Sequence, residues 1–217
     1  TWVEVPMTLF AAALIFITFC NDHWPVPGSY IISRTEGIVF LCFFLIFVTY
    51  TLVLARKGQG EEVIVKAHTL PKSILLIVIG LTGLIAGGQL LVKGAVSIAE
   101  SLGISQRIIA ITIISIGTSL PELATSLVAA RKKNVDMAIG NVVGSNLFNT
   151  FLILGTSAVI QPIPMSAENL TDILTNLLAT LLLFLFIFTG KGRQIEKWEG
   201  IVFLLLYLIY LFFLIFH

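Results

Sequence analysis

The chain has 217 residues, 57% of them hydrophobic and 12% charged, with a formal net charge of +1 and a mean hydropathy of +1.02. A soluble domain would carry about a quarter charged residues, so the composition excludes a water-soluble fold and predicts an all-α integral membrane protein. The near-zero net charge names no partner, and nucleic acid is not expected among them.

Roughly 20 apolar residues cross a bilayer. On that measure the sequence predicts seven spans, at about 5–20, 36–55, 73–99, 105–130, 137–160, 170–189 and 198–216. Glu4 precedes the first apolar run and no basic segment leads it, so residues 1–20 read as a short span and not as a signal peptide. Cys20 and Cys42 lie in apolar surroundings without metal-ligand spacing and read as small hydrophobes. The polar connection at 56–72 is the largest, and no linker has room for a second domain. The span at 73–99 is long and should tilt, with Gly80, Gly83, Gly87, Gly88 and Gly94 forming a close-packing face.

Two polar segments interrupt the apolar pattern. Within 105–130, Ser115, Thr118, Ser119, Glu122 and Ser126 follow i, i+3, i+4, i+7 and i+11 spacing and make one stripe on a helix. Pro121 lacks an N–H and clashes with the carbonyl of Gly117, so a kink is expected, with the carbonyls of Gly117 and Thr118 freed as oxygen ligands. On the next span Asn141, Ser145 and Asn149 recur every four residues, and Gly140 with Gly144 forms a GxxxG pair suited to close helix approach. Hydroxyls in membrane helices usually bond back to their own helix, and GxxxG usually serves packing alone. A carboxylate inside a span is costly and rare, and by default marks function. Carboxylate, hydroxyl, amide and carbonyl oxygens suit a hard cation such as Ca²⁺ or Na⁺. Lys93 and Glu100 lie near the end of their span, where snorkelling accounts for them, while His23, Trp24 and Trp198 read as interfacial.

Arg56, Lys57, Lys66, Lys72, Arg131, Lys132, Lys133, Lys191, Arg193 and Lys197 fall on one side of the predicted topology, against Arg34 and Arg107 on the other. That asymmetry makes the first side cytoplasmic and puts the C-terminus on the extracytoplasmic side of a plasma (inner) membrane.

Glu36-Gly37-Ile38-Val39-Phe40-Leu41 recurs as Glu199-Gly200-Ile201-Val202-Phe203-Leu204, and Leu45-Ile46 as Leu208-Ile209. The copies are five spans apart and so run in opposite directions, as inverted repeats of transporters do. On this basis residues 1–55 are the last two spans of a first repeat, 56–72 a cytoplasmic loop and 73–217 a five-span second repeat. Nothing equivalent to 56–164 precedes the first copy, so the chain is expected to be part of a ten-helix protein whose first α-repeat lies upstream of Thr1.

Gly117-Thr118-Ser119-Leu120-Pro121-Glu122 followed by Gly140-Asn141-Val142-Val143-Gly144-Ser145-Asn146-Leu147-Phe148-Asn149 resembles the second α-repeat of the cation/calcium exchanger superfamily. The stretch Gly87–Ala95 is similar to the span before that repeat. The resemblance implies a metal site in which Glu122 is the main carboxylate, with Thr118, Ser119 and Ser115 as hydroxyl or carbonyl ligands. Ser145 and Asn149 would join it from the facing helix. Some relatives carry Asp at the position of Asn149, which leaves this chain one charge fewer and opens the question of K⁺ dependence. The function implied is a secondary antiporter exporting Ca²⁺ against inward Na⁺, with no cofactor. Its partners are the transported ions (K⁺ or H⁺ as alternatives), the bilayer and the missing repeat. Ca²⁺/H⁺ exchange and a non-transporting structural fragment are the alternatives. No nucleophile–base pair accompanies Glu122, so an enzyme is not expected.

Overall fold

A computed structural model describes residues 3–21, 30–56, 69–104, 109–189 and 195–216. Most of the basic loop at 56–72, the loop residues 190–194, Arg107, and the interfacial His23 and Trp24 lie outside the described residues. Among the described residues the structure is helical apart from one small ladder. The helices are α1 (Glu4–Asn21), α2 (Arg34–Arg56), α3 (Leu70–Ser101), α4 (Ser115–Thr118), α5 (Leu120–Arg131), α6 (Val135–Leu147), α7 (Gly155–Ile160), α8 (Asn169–Thr189) and α9 (Lys197–Phe216). Among the described residues, five helices are long and apolar enough to cross a bilayer, counting Val135–Ile160 as one, and α4–α5 forms a bent sixth. α1 is the shorter apolar helix.

The chain divides into two compact units, one of residues Thr1–Gln59 and Val135–Leu208, the other of Gly60–Asn134 and Ile209–His217. In the first, α1 lies along α8 and α2 lies along the second half of Val135–Ile160. Its buried centre contains Val5, Ala11, Ile32, Phe40, Ile139, Val143, Leu147, Phe151, Ala158 and Ile187. Lipid is as apolar as these side chains, so the unit is held by shape and not by exclusion of water. The fit is visible in the aromatic stack of Phe43 on Phe151, centroids 5.7 Å apart, and in the edge-on pair Phe44–Phe148 at 5.4 Å. Gly37 lets the backbones of α2 and α7 touch: a Cβ there would sit 2.7 Å from the Gly155 carbonyl oxygen.

The repeated Glu-Gly has a structural cause. α2 starts with a capping box, in which Ser33 N–H and Oγ donate to Glu36 Oε2 at 2.7 and 2.9 Å and Glu36 N–H returns to Ser33 Oγ at 3.3 Å. At α9 the Glu196 N–H donates to Glu199 Oε2 at 2.7 Å. Both carboxylates thus stand three residues after the cap, binding a donor the helix start leaves over. This explains why Glu199, 3% exposed, is tolerated among apolar neighbours.

The sequence reading did not foresee the antiparallel ladder of β1 (Tyr30–Ile32) and β2 (Ile163–Met165), which pairs Tyr30 with Met165, Ile31 with Pro164 and Ile32 with Ile163. In the second unit α3 packs along α4 and α5. Among the described residues the glycine face of α3 makes no close approach. A Cβ added at Gly80, Gly83, Gly87, Gly88 or Gly94 meets nothing within 4 Å, and the same holds for Gly140 and Gly144 on α6. Among the described residues, the tight approaches are made instead at Gly37, Gly117 and Gly155. Cys20 and Cys42 are free thiols on exposed faces.

Candidate functional site: a broken helix and a second polar motif

The helix predicted to kink at Pro121 is broken there. Thr112–Thr118 and Leu120–Arg131 meet at 54°. Pro121 occupies the first turn of α5, where the missing N–H costs nothing. Ser119 sits at the corner with φ −94° and ψ 2°, and its N–H turns back to the Ile116 carbonyl at 3.1 Å. Such a break is tolerated at membrane depth only where the backbone is buried in protein or lines a cavity. Thr118 Oγ donates to the Ser115 carbonyl at 2.9 Å, the local back-bond expected of a membrane threonine.

Glu122 stands in the first turn of α5, half-buried, one residue beyond the proline. Its Oε2 is shielded from solvent, and the residue interacts with neighbouring groups. Ser115, Thr118, Ser119 and Glu122 are thus collected within two turns of one broken helix.

The second motif lies in the other unit. Asn141 and Ser145 are on α6, and Ser145 Oγ donates to the Val142 carbonyl at 3.0 Å. Asn149 lies one residue into a seven-residue π-helix, Phe148–Leu154, and is exposed. A second π-helix, Ala110–Ile114, leads directly into α4. Wide turns of this kind are rare and concentrate at functional sites. Neither was legible in the sequence, because nothing in residue type separates a π-turn from an α-turn.

Two further features of the broken helix were missed. Gly117 is buried against α3 so closely that an added Cβ would run into a Val92 methyl. Beside that contact, Leu84, Ile85, Gly88, Gln89, Val92 and Lys93 of α3 form one wall of a cleft of about 440 Å³, and Ile114, Gly117, Thr118 and Pro121 form the other. Lys93, read from the sequence as snorkelling, is therefore on a cleft wall together with Gln89. Among the described residues no three His, Cys, Asp or Glu side chains cluster, so any ion here would rely on hydroxyl, amide and carbonyl oxygens around a single carboxylate.

The described residues thus form a helical membrane protein with a proline-broken span, a carboxylate at the break and one amide-bearing π-turn. Residues 72–216 match the model of the sodium/calcium exchanger protein family, and the chain belongs to that family. It is 35% identical over 196 residues to membrane protein MJ0091 of Methanocaldococcus jannaschii, covering 90% of this chain and 62% of that protein. It is 37% identical over 140 residues to the sodium/calcium exchanger MaX1 of Methanosarcina acetivorans, covering 64% of this chain and 40% of the relative. The structure is similar to that of the sodium–calcium exchanger NCX_Mj soaked with 2.5 mM Na⁺ and 10 mM Sr²⁺, with TM-score 0.71 and 32% identity, over 95% of this chain and 63% of that one. The chain therefore spans less than two thirds of the length of these relatives.

Proposed function

We propose that this chain is the later part of a secondary antiporter that exports Ca²⁺ against an inward flow of Na⁺, the first α-repeat being contributed by residues upstream of Thr1. The observation that carries the reading is the broken helix, which gathers Ser115, Thr118, Ser119 and Glu122 at one corner inside a span. Ser145 and Asn149 complete the ligand set from the adjacent span, as the family resemblance implies. One carboxylate cannot neutralise a doubly charged ion, so a ten-helix protein with an inverted repeat would supply the second from the first repeat. The protein is an integral membrane protein; its place in the plasma (inner) membrane and its extracytoplasmic C-terminus belong to the same proposal.

The test is Glu122→Gln in the complete protein reconstituted into vesicles. Loss of a unit charge from a partly buried site exceeds about 1.4 kcal/mol, so Ca²⁺ uptake should drop at least about tenfold. Near-normal flux in that variant would overturn the assignment. Coupling is read separately. With proton gradients collapsed by an ionophore, a Na⁺ gradient should still drive radiolabelled Ca²⁺, whereas flux that follows only the pH gradient assigns Ca²⁺/H⁺ exchange instead.

A further inference from the structure

α3 carries two polar side chains that the proposed ion site does not use. Gln89 and Lys93 are spaced i, i+4 and share one face of the helix, and both line the cleft between α3 and the broken helix. No hydrogen bond or ion pair joins either of them to another described residue. Polar side chains inside a span are costly unless something polar meets them. Thr118, also on the cleft wall, gives its hydroxyl hydrogen to the Ser115 carbonyl. Lys93 and Gln89 are therefore the groups that await a partner.

Depth and width narrow the choice. α3 has 32 residues, a rise of about 47 Å against a hydrocarbon layer of about 30 Å. With the helix centred and tilted by up to about 40°, Lys93 falls about 4 to 6 Å inside the edge of that layer. Its four-carbon stem carries the ammonium to headgroup level. Gln89 lies about 6 Å deeper, and beyond it the walls are Leu84 and Ile85 on one side and Pro121 on the other. The cleft of about 440 Å³ extends over about 14 Å of α3, from Leu84 to Lys93, so it averages about 6 Å across. That width takes a hydrocarbon chain and is too narrow for a helix about 10 Å in diameter.

We infer that this cleft holds one anionic phospholipid from the leaflet at the C-terminal end of α3. The cleft runs from a cation through an amide to an apolar end, and a phospholipid presents phosphate, ester carbonyl and acyl chain in the same order. Lys93 binds the phosphate, the Gln89 amide donates to an ester carbonyl, and the upper part of one acyl chain lies between Ile85 and Pro121. A free phosphate would leave the apolar end unfilled. A metal cation on its way to Glu122 would meet the like charge of Lys93.

The test uses tryptophan quenching by brominated lipids added to phosphatidylcholine vesicles of the complete protein. Trp2, Trp24, Trp198 and any upstream tryptophan are replaced by Phe. Leu81→Trp then reports from one turn below Ile85, at the apolar end of the cleft. Leu90→Trp is the control, since Leu90 is 73% exposed and off the cleft wall. At position 81, half-quenching should need about fivefold less brominated phosphatidylglycerol than brominated phosphatidylcholine, as one lysine–phosphate contact gives. At position 90 the two lipids should quench alike. Lys93→Gln should abolish the difference at 81 and Lys93→Arg should keep it. Equal quenching at 81, an equal preference at 90, or a preference that survives Lys93→Gln overturns the proposal. No quenching at 81 by either lipid assigns the cleft to a protein neighbour, and loss of the preference on adding millimolar inorganic phosphate assigns it to a free anion; either result overturns the lipid. No readout depends on Ca²⁺ flux, so failure here leaves the antiporter reading to its own test.

Discussion

Gly117 and Asn149 show what single residues decide. Val92 is β-branched and cannot swing its methyl aside cheaply, so the added Cβ of Gly117→Ala must push α3 away from the broken helix. Tm should fall by about 3 to 8 °C, as overpacking of 1–3 kcal/mol does at this size, and Val92→Ala should restore it in the double variant. Differential scanning fluorimetry of the four proteins checks the cycle, and additivity would show that the two residues do not touch. At Asn149 the issue is charge. If its amide is a ligand, Asn149→Asp adds a unit negative charge to a divalent-ion site, and Ca²⁺ affinity of the complete protein should rise about tenfold or more. Isothermal titration with Ca²⁺ reads this directly; unchanged affinity would place Asn149 outside the site.

Among the elements, the helix starts and the α2–α7 crossing carry the clearest consequences. The box at Ser33 and Glu36 joins two hydrogen bonds to one carboxylate oxygen, so Ser33→Ala should cost about 1 kcal/mol, a loss of roughly 2–4 °C in Tm. The same elements show how far sequence reading reaches. The break at Pro121 was legible because proline removes a specific donor and clashes with a specific carbonyl. The kinship of α2 and α9 was legible as a Glu-Gly pair, although the reason for it, a capping carboxylate three residues past the cap, emerged only with Ser33 and Glu196 in place. The glycine-rich face of α3 makes no close approach among the described residues, since small residues permit one without requiring it. Gly37 and Gly155 did the packing instead, with nothing in their local sequence to distinguish them from Gly83 or Gly140. The β1–β2 pairing was invisible for a different reason: three-residue strands joined across more than a hundred residues leave no periodicity to read.

For the whole molecule, the ion site proposed above, with one carboxylate, would require a second. Vesicles containing only the 217-residue chain should show no Na⁺-driven Ca²⁺ flux above empty-vesicle background, while the complete protein should. Flux from the short chain would show that the residues here suffice. The polar stripe of Ser115, Thr118, Ser119 and Glu122 on one helix could be read from spacing alone. The relation between Glu122 and Asn149 could not, since they stand on consecutive spans that fall in separate compact units.

The small ladder between Tyr30–Ile32 and Ile163–Met165 has a further effect outside the apolar layer. Two paired strands leave an outer row of amides that could recruit a third strand from a neighbouring molecule. The central residue on one of them is Pro164, and proline has no amide hydrogen to offer. Paired with Ile31, its nitrogen turns away from the partner strand, so the row is interrupted at its midpoint. The β2 edge of the clasp is therefore a poor place for a third strand to add.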